Sequence, residues 1–117
     1  MNKKRRKRIS DVIYKIEFVK RNRGSLSTGL EEIKNELEDI LYEEEDYFDN
    51  MPENLQGSIR GEAAEEAIDY LTEAIDSLEV AIGETEDENI NEELENAVDN
   101  LRYIWIANRN NKLILYI

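Results

Sequence analysis

The sequence predicts an all-α protein: an antiparallel helical hairpin or bundle of three to four helices with coiled-coil-like packing and a short apolar C-terminal tail. Apolar residues recur at steps of three and four over most of the 117 residues, which is the spacing of one face of a helix. Five glycines and one proline are too few for a turn-rich β-sandwich. A chain of this length builds one core, so we expect residues 1–117 to form a single helical domain.

The N-terminal segment, residues 1–23, is predicted to combine a basic arm with a first helix over 8–22. The helix is indicated by an apolar stripe on one face, formed by Ile9, Val12, Ile13, Ile16 and Val19. Residues 22–24 are expected to end it, and residues 24–29 to form a loop.

Residues 29–83 are predicted to form an acidic helical hairpin. Thr28 and Glu31 have the spacing of a capping box at the start of the second helix, and Pro52 predicts its end near residue 50. After a connection over 50–58, the third helix covers 59–82, where EAIDYL at 66–71 recurs seven residues later as EAIDSL. Gly83 is expected to stop it. The short connection indicates that the two helices pack antiparallel.

The C-terminal segment, residues 90–117, is predicted to contain a fourth helix over 90–107. Thr85 and Glu88 form a second capping box before it. The tail over 108–117 ends in apolar residues, and we expect a short strand or an apolar segment packed on the bundle. A narrow helical seam can also be covered by a second copy of the chain, so a homodimer is kept as an open alternative.

The net charge of −13 is unevenly distributed. Residues 1–23 hold ten basic and two acidic residues, a net of +8, whereas residues 24–117 hold five basic and twenty-six acidic residues, a net of −21. This asymmetry predicts two electrostatic surfaces, or a basic arm that folds back onto the acidic body.

The composition excludes most catalytic chemistry. The chain has no histidine and no cysteine, which removes Ser-His and Cys-His nucleophilic sites and the usual zinc ligands. The ExxE pattern at 62–65 and the ExxD patterns at 66–69 and 73–76 look like the magnesium motifs of all-helical nucleotide pyrophosphohydrolases, but they lie on the polar side of one helix, where acids are expected for solubility. We therefore expect no catalytic residue, no metal and no cofactor.

The localisation expected from the sequence is the cytoplasm of a bacterial cell. No apolar run approaches the roughly 20 residues of a membrane span, and the basic start is not followed by the apolar region of a secretory signal.

The basic arm is a compact run of six cations. Three explanations were considered for it: contact with RNA or DNA phosphates, contact with a membrane surface, or solvation and pairing with the acidic body. Asp11, Glu17 and the acidic body would resist an anionic lipid surface, so no membrane partner is expected. No aromatic residue is interleaved with the run, so base stacking is not predicted. The arm consists of Lys3, Lys4, Arg5, Arg6, Lys7 and Arg8.

The acidic faces of the second and third helices are the predicted partner-binding surface. Their acids are spaced at the same order as the phosphates along a nucleic-acid strand, and few basic residues follow residue 23 to neutralise them. The predicted residues are Glu43, Glu44, Glu45, Asp46, Asp49, Glu62, Glu66, Asp69, Glu73, Asp76 and Glu79.

The segment over 43–82 contains YFDNMPENLQ at 47–56, RGE at 60–62 and the two EAID repeats. In this segment and its basic start at 2–8, the chain resembles a group of small acidic helical proteins from phages and mobile elements of Firmicutes. The loop at 24–29 and the tail at 108–117 depart from that pattern. The resemblance implies an anti-defence protein, such as an anti-CRISPR protein that fills the DNA-binding groove of a Cas nuclease or its ribonucleoprotein.

The function expected from charge and resemblance together is a non-catalytic inhibitor that mimics nucleic acid and blocks a basic groove. The alternative is a helical adaptor or coiled-coil protein that acts through an apolar interface. A metal-dependent nucleotide pyrophosphohydrolase is the third alternative.

Overall fold

The computed structural model describes the backbone of residues 1–21, 26–84 and 87–115, and the side chains of 1–21, 29–84 and 88–106. All its elements in these ranges are helices, which confirms the all-α prediction. Four long helices and one short helix follow one another along the chain: α1 (Lys3–Arg21), α2 (Leu26–Asp49), α3 (Glu53–Gln56), α4 (Ile59–Gly83) and α5 (Asp87–Leu115). None of the described helices has both the length and the apolar character needed to cross a membrane.

The four long helices form an antiparallel bundle. Both α1 and α4 pack against α2 and α5. These contacts give the order α1, α2, α4, α5 around the bundle. Each long helix runs opposite to the one before it, so neighbouring helices are antiparallel. The N-terminus of α1 therefore lies at the same end as the connection between α2 and α4. The bundle is elongated, with extents of 47 × 27 × 21 Å.

The core lies along the bundle axis and is built from the predicted apolar stripes. Leu71 and Leu78 of α4 are fully buried, as are Leu94 and Leu101 of α5. Full burial of a side chain of this size stabilises the fold by roughly 1.5–3 kcal/mol. On α4, small buried side chains recur every seven residues; they are Ala67, Ala74 and Ala81.

The connection between α2 and α4 is ordered by local hydrogen bonds. Gln56 donates from Nε2 to the carbonyl oxygens of Phe48 and Met51, both at 3.3 Å. Ser58 is the N-cap of α4 and accepts a hydrogen bond from the backbone nitrogen of Gly61. A Cβ atom at Gly61 would overlap the backbone carbonyl of Gln56, so the chain can only fold back this tightly with glycine here.

The structure corrects three of the predicted boundaries. The first helix begins at Lys3 and not at residue 8, so the basic run is helical. Residues 26–29 belong to α2 and not to a loop. The predicted strand is wrong for 108–115, because α5 continues to Leu115; the packing of the apolar tail lies outside the described side chains. The predicted capping box at Thr28 is wrong, because α2 begins at Leu26 and Thr28 lies inside it. The predicted capping box at Thr85 lies outside the described residues.

Candidate interaction surfaces

The outer face of α4 carries an acidic stripe: Glu62, Glu66, Asp69, Glu73 and Asp76. All five side chains are exposed. At about 100° per residue they fall within roughly 80° of arc around the helix, opposite the buried alanines and leucines. The heptad repeat thus places the core on one side and the acids on the other.

The carboxylates of the acidic stripe have no cationic partner among the described residues. The ion pairs of the described chain involve other acids, on α1, α2 and α5, and at Glu79 on the edge of α4. Glu79 differs from the stripe because it lies 3.5 Å from Lys34 of α2. The acidic stripe is therefore a continuous patch of unneutralised negative charge.

The C-terminal half of α2 adds negative charge beside α4, with one correction. Asp46 and Asp49 are exposed, as a binding surface requires, whereas Glu45 is half-buried. The prediction that Glu44 belongs to this surface is wrong, because its side chain is 0% exposed. Glu43 is exposed, but it pairs with Arg8 of α1.

The basic run divides into cations that pair with the body and cations that do not. Arg5 is buried, donating from Nε to Glu44 Oε2 at 2.9 Å, and its guanidinium lies 5.5 Å from the ring centroid of Tyr47. Together with the Arg8–Glu43 pair, this contact attaches the run to α2. The run is therefore part of the bundle: it forms the first turns of α1, and pairing with the acidic body accounts for two of its six cations.

The three lysines of the run face a cavity between α1 and α5. The cavity has a volume of about 540 Å³ and is lined by Lys3, Lys4, Lys7, Ser10 and Trp105. Arg6 lies beside it, with its guanidinium 5.7 Å from the centre of the Trp105 ring. Sequence reasoning missed this arrangement because Trp105 is about a hundred residues away from the lysines along the chain.

A groove lies at the connection between α2 and α4. Its volume is about 810 Å³, and Arg5 and Arg60 contribute cations to a lining that also contains Glu43 and Asp46. The apolar part of the lining includes exposed or half-buried side chains that form a patch accessible from solvent: Tyr47, Met51, Pro52, Leu55 and Ile59. The YFDNMPENLQ motif supplies four of these five apolar side chains of the connection groove.

The carboxylates are not arranged as a metal site in the described part of the chain. No group of three or more acidic side chains there is placed to hold a metal ion. Glu62 and Glu65 of the ExxE pattern are both exposed on α4.

Comparison with known proteins adds no assignment. No protein-family model matches the chain, and neither the curated proteins nor the solved structures gave a significant match. The function is therefore argued from the surfaces themselves.

Proposed function

We propose that this chain is a phage or mobile-element inhibitor of a bacterial nucleic-acid-binding defence enzyme. It acts without catalysis, as an acidic mimic of nucleic acid that blocks a basic groove. The observation that carries the proposal is the acidic stripe: five exposed carboxylates on one helix face, none of them neutralised by a described lysine or arginine.

The stripe has dimensions that suit a groove built for nucleic acid. Glu62 and Asp76 are fourteen residues apart, which corresponds to roughly 21 Å along the helix axis. The mean axial separation of successive charges is then roughly 5 Å, the same order as the ~3.4 Å rise per phosphate of one strand. Asp46 and Asp49 extend the negative surface onto the neighbouring helix. Such a surface can displace the counterions of a basic groove as a nucleic acid does.

The stability of the bundle does not require the stripe. Like charges three and four residues apart on a helix destabilise it by about 0.2–0.5 kcal/mol per pair. Elsewhere the bundle offsets its acids with partners, as in the 2.7 Å contact between Lys15 and Glu36. A surface that costs stability and is left unpaired is the expected form of a binding surface for a cationic partner.

The partner class follows from the charge and from the phage-like motif. A Cas nuclease, or its ribonucleoprotein, offers a basic DNA-binding groove in the bacterial cytoplasm, and blocking it is an anti-CRISPR-like activity. The resemblance of residues 43–82 to phage and mobile-element proteins supports this class over other basic proteins.

The test is a competition experiment with charge-reversed variants. The chain is titrated into a Cas ribonucleoprotein from a Firmicute host, and binding of a labelled target duplex is measured by fluorescence anisotropy. Glu66→Lys with Glu73→Lys should weaken inhibition at least tenfold. The matched control is Glu92→Lys with Asp99→Lys, which has the same charge change and the same seven-residue spacing on the exposed face of α5. It should retain inhibition.

Two results would contradict mimicry. Inhibition that persists unchanged at about 0.5 M salt would show that charge does not drive binding, because the screening length there is only about 4 Å. Equal loss in the stripe variant and its α5 control would show that the net charge matters and the stripe does not.

The second candidate is an adaptor that acts through an apolar interface, and the connection groove is the observation that favours it. Leu55 is 47% exposed and Ile59 is 38% exposed at the rim of that groove. Replacing both by serine should abolish partner binding or self-association in sedimentation experiments if the adaptor function is correct. The same replacement should leave salt-sensitive groove blocking in place if mimicry is correct.

A further inference from the structure

The cavity between α1 and α5, here called the α1–α5 pocket, has a lining of unusual composition for so acidic a chain. Lys3, Lys4 and Lys7 contribute three ammonium groups, Ser10 contributes a hydroxyl, and Trp105 contributes an indole. None of its described lining residues carries a carboxylate, although the chain has a net charge of −13. The pocket volume of about 540 Å³ is within the range of small-ligand sites.

The three lysines are among the cations for which the described residues provide no ion pair. Arg5, Arg8, Lys15 and Lys20 of the same helix all form ion pairs with carboxylates of α2 or α5. No such contact involves Lys3, Lys4 or Lys7 among the described residues, and all three are exposed. Lys3 and Lys7 are one helical turn apart, with Cβ atoms about 5–6 Å from each other, so both can contact one phosphate group.

Trp105 adds a stacking surface to this positive charge. Its side chain is 38% exposed, and the guanidinium of Arg6 lies 5.7 Å from its ring centre, which holds the indole beside the lysines. An aromatic ring beside a track of cations is the combination with which proteins bind single-stranded nucleic acid. A duplex would leave the indole unused, because its bases are already stacked on one another.

We propose that the α1–α5 pocket binds a nucleotide of single-stranded RNA or DNA. The phosphate contacts the lysine ammonium groups and the Ser10 hydroxyl, and the base stacks on Trp105. The inference goes beyond the inhibitory function and does not rest on it, because the acidic stripe lies on a different helix that packs against α2 and α5. The basic run itself contains no aromatic residue, but the fold places Trp105 of α5 beside it.

Trp105 is the only tryptophan of the chain, so its fluorescence reports on the pocket without a label. Titration with single-stranded oligo-U and oligo-dT of about ten nucleotides should quench the emission. One phosphate neutralised by the lysines gives a salt slope near −0.7, so the apparent Kd should rise about threefold between 50 and 200 mM salt. A blunt duplex of the same length should not quench.

Variants separate charge from stacking. Alanine at Lys3, Lys4 and Lys7 together should abolish quenching, whereas Lys15→Ala, an exposed lysine of α1 outside the pocket, should leave it unchanged. Trp105→Leu, measured by anisotropy of a labelled oligonucleotide, should weaken binding at least fivefold. Circular dichroism checks that each variant keeps its helical content. The three lysines are exposed, so replacing them should not disturb the core. The triple lysine variant therefore tests the proposal even if Trp105→Leu does not fold.

Several outcomes would overturn the proposal. These are no quenching by either oligonucleotide, equal quenching by the duplex, or quenching by vesicles of anionic lipid but not by oligonucleotides. Undiminished binding in the triple lysine variant would do so as well. Glu66→Lys with Glu73→Lys should leave oligonucleotide binding at least as strong as in the unmodified chain, so a failure of the inhibitory function and a failure of this pocket give different patterns.

Discussion

Glu44 and Arg5 form a buried ion pair at the end of the bundle, and its removal gives a quantitative test of the packing. Glu44 is 0% exposed, and its Oε2 accepts from Arg5 Nε at 2.9 Å. The α-amino group of Met1 lies 3.4 Å from Oε1. The Arg5 side chain is only 10% exposed. Replacing Glu44 by alanine would therefore leave a guanidinium largely buried without a carboxylate partner.

The expected loss is large for a chain of this size. Removing one partner of a buried ion pair costs about 3–5 kcal/mol. With an unfolding entropy of ~2.1 cal/mol/K per residue, this loss lowers Tm by about 12–20 °C for 117 residues. The matched control is Glu43→Ala, at the next position of the same helix. Glu43 also pairs with an arginine of α1, but its side chain is 47% exposed, so the cost there should stay below about 1 kcal/mol.

Urea unfolding followed by far-ultraviolet circular dichroism measures both variants, with Glu44→Gln as a milder change in case Glu44→Ala does not fold. A third variant, Arg5→Met with Glu44→Leu, replaces the pair by apolar side chains. It should recover most of the lost stability, because two matched apolar groups avoid the desolvation of an isolated charge. The reasoning is refuted if Glu44→Ala and Glu43→Ala cost the same, or if the apolar pair is as unstable as Glu44→Ala alone.

Other predictions concern the core, the connection and the acidic stripe. Leu71→Ala removes a fully buried side chain and should lower the free energy of unfolding by about 2–5 kcal/mol in the same urea experiment. Gly61→Ala should reduce Tm, because its methyl group would overlap the carbonyl of Gln56, whereas Gly83→Ala, with open space around it, should leave Tm unchanged or raise it. Glu66→Gln with Glu73→Gln should raise Tm at low salt by relieving repulsion, and a gain that persists in 1 M salt would contradict this explanation.

The α4 helix could be predicted almost completely from its sequence. Its apolar residues alternate steps of three and four, and the repeat of EAID seven residues apart fixes one register, so the buried and exposed faces follow directly. The predicted range of 59–82 differs from the observed helix by one residue. The heptad spacing was sufficient to predict this helix, because helices that pack in a bundle bury residues at the same spacing.

The buried ion pair could have been predicted by extending the three- and four-residue spacing to the ends of α1 and α2. Arg5 continues the stripe of α1 at steps of four and three through Ile9, Val12 and Ile16. Glu44 likewise continues the stripe of α2 beyond Ile40. In a bundle, a charged residue in a core register must be paired, and two opposite charges at the same end supply each other's partner. Composition alone groups both residues with the surface charges, which explains why Glu44 was wrongly assigned to a binding face.

The α1–α5 pocket could not be predicted from local patterns. Periodicity indicates which side of each helix faces the core, but the order of helices around the axis is a tertiary property. Trp105 and Ile104 are adjacent in the apolar pattern of the fourth helix, yet Ile104 is buried and Trp105 is 38% exposed at the α1 side of α5. Only the packing of α1 against α5 brings the indole to the lysines.

The same helix order explains why one acidic surface is neutralised and the other is not. The cations of α1 reach carboxylates on its two packing neighbours, as Lys15 does with Glu36 of α2 and Lys20 with Glu95 of α5. The α4 helix packs against α2 and α5 and lies across the bundle from α1, so the lysines and arginines of α1 do not reach its outer face. The acidic stripe and the α1–α5 pocket thus occupy separate sides of one bundle, where the two charges do not cancel. A partner that presents a basic groove beside a single-stranded nucleic acid, as a ribonucleoprotein does, could contact both surfaces at once.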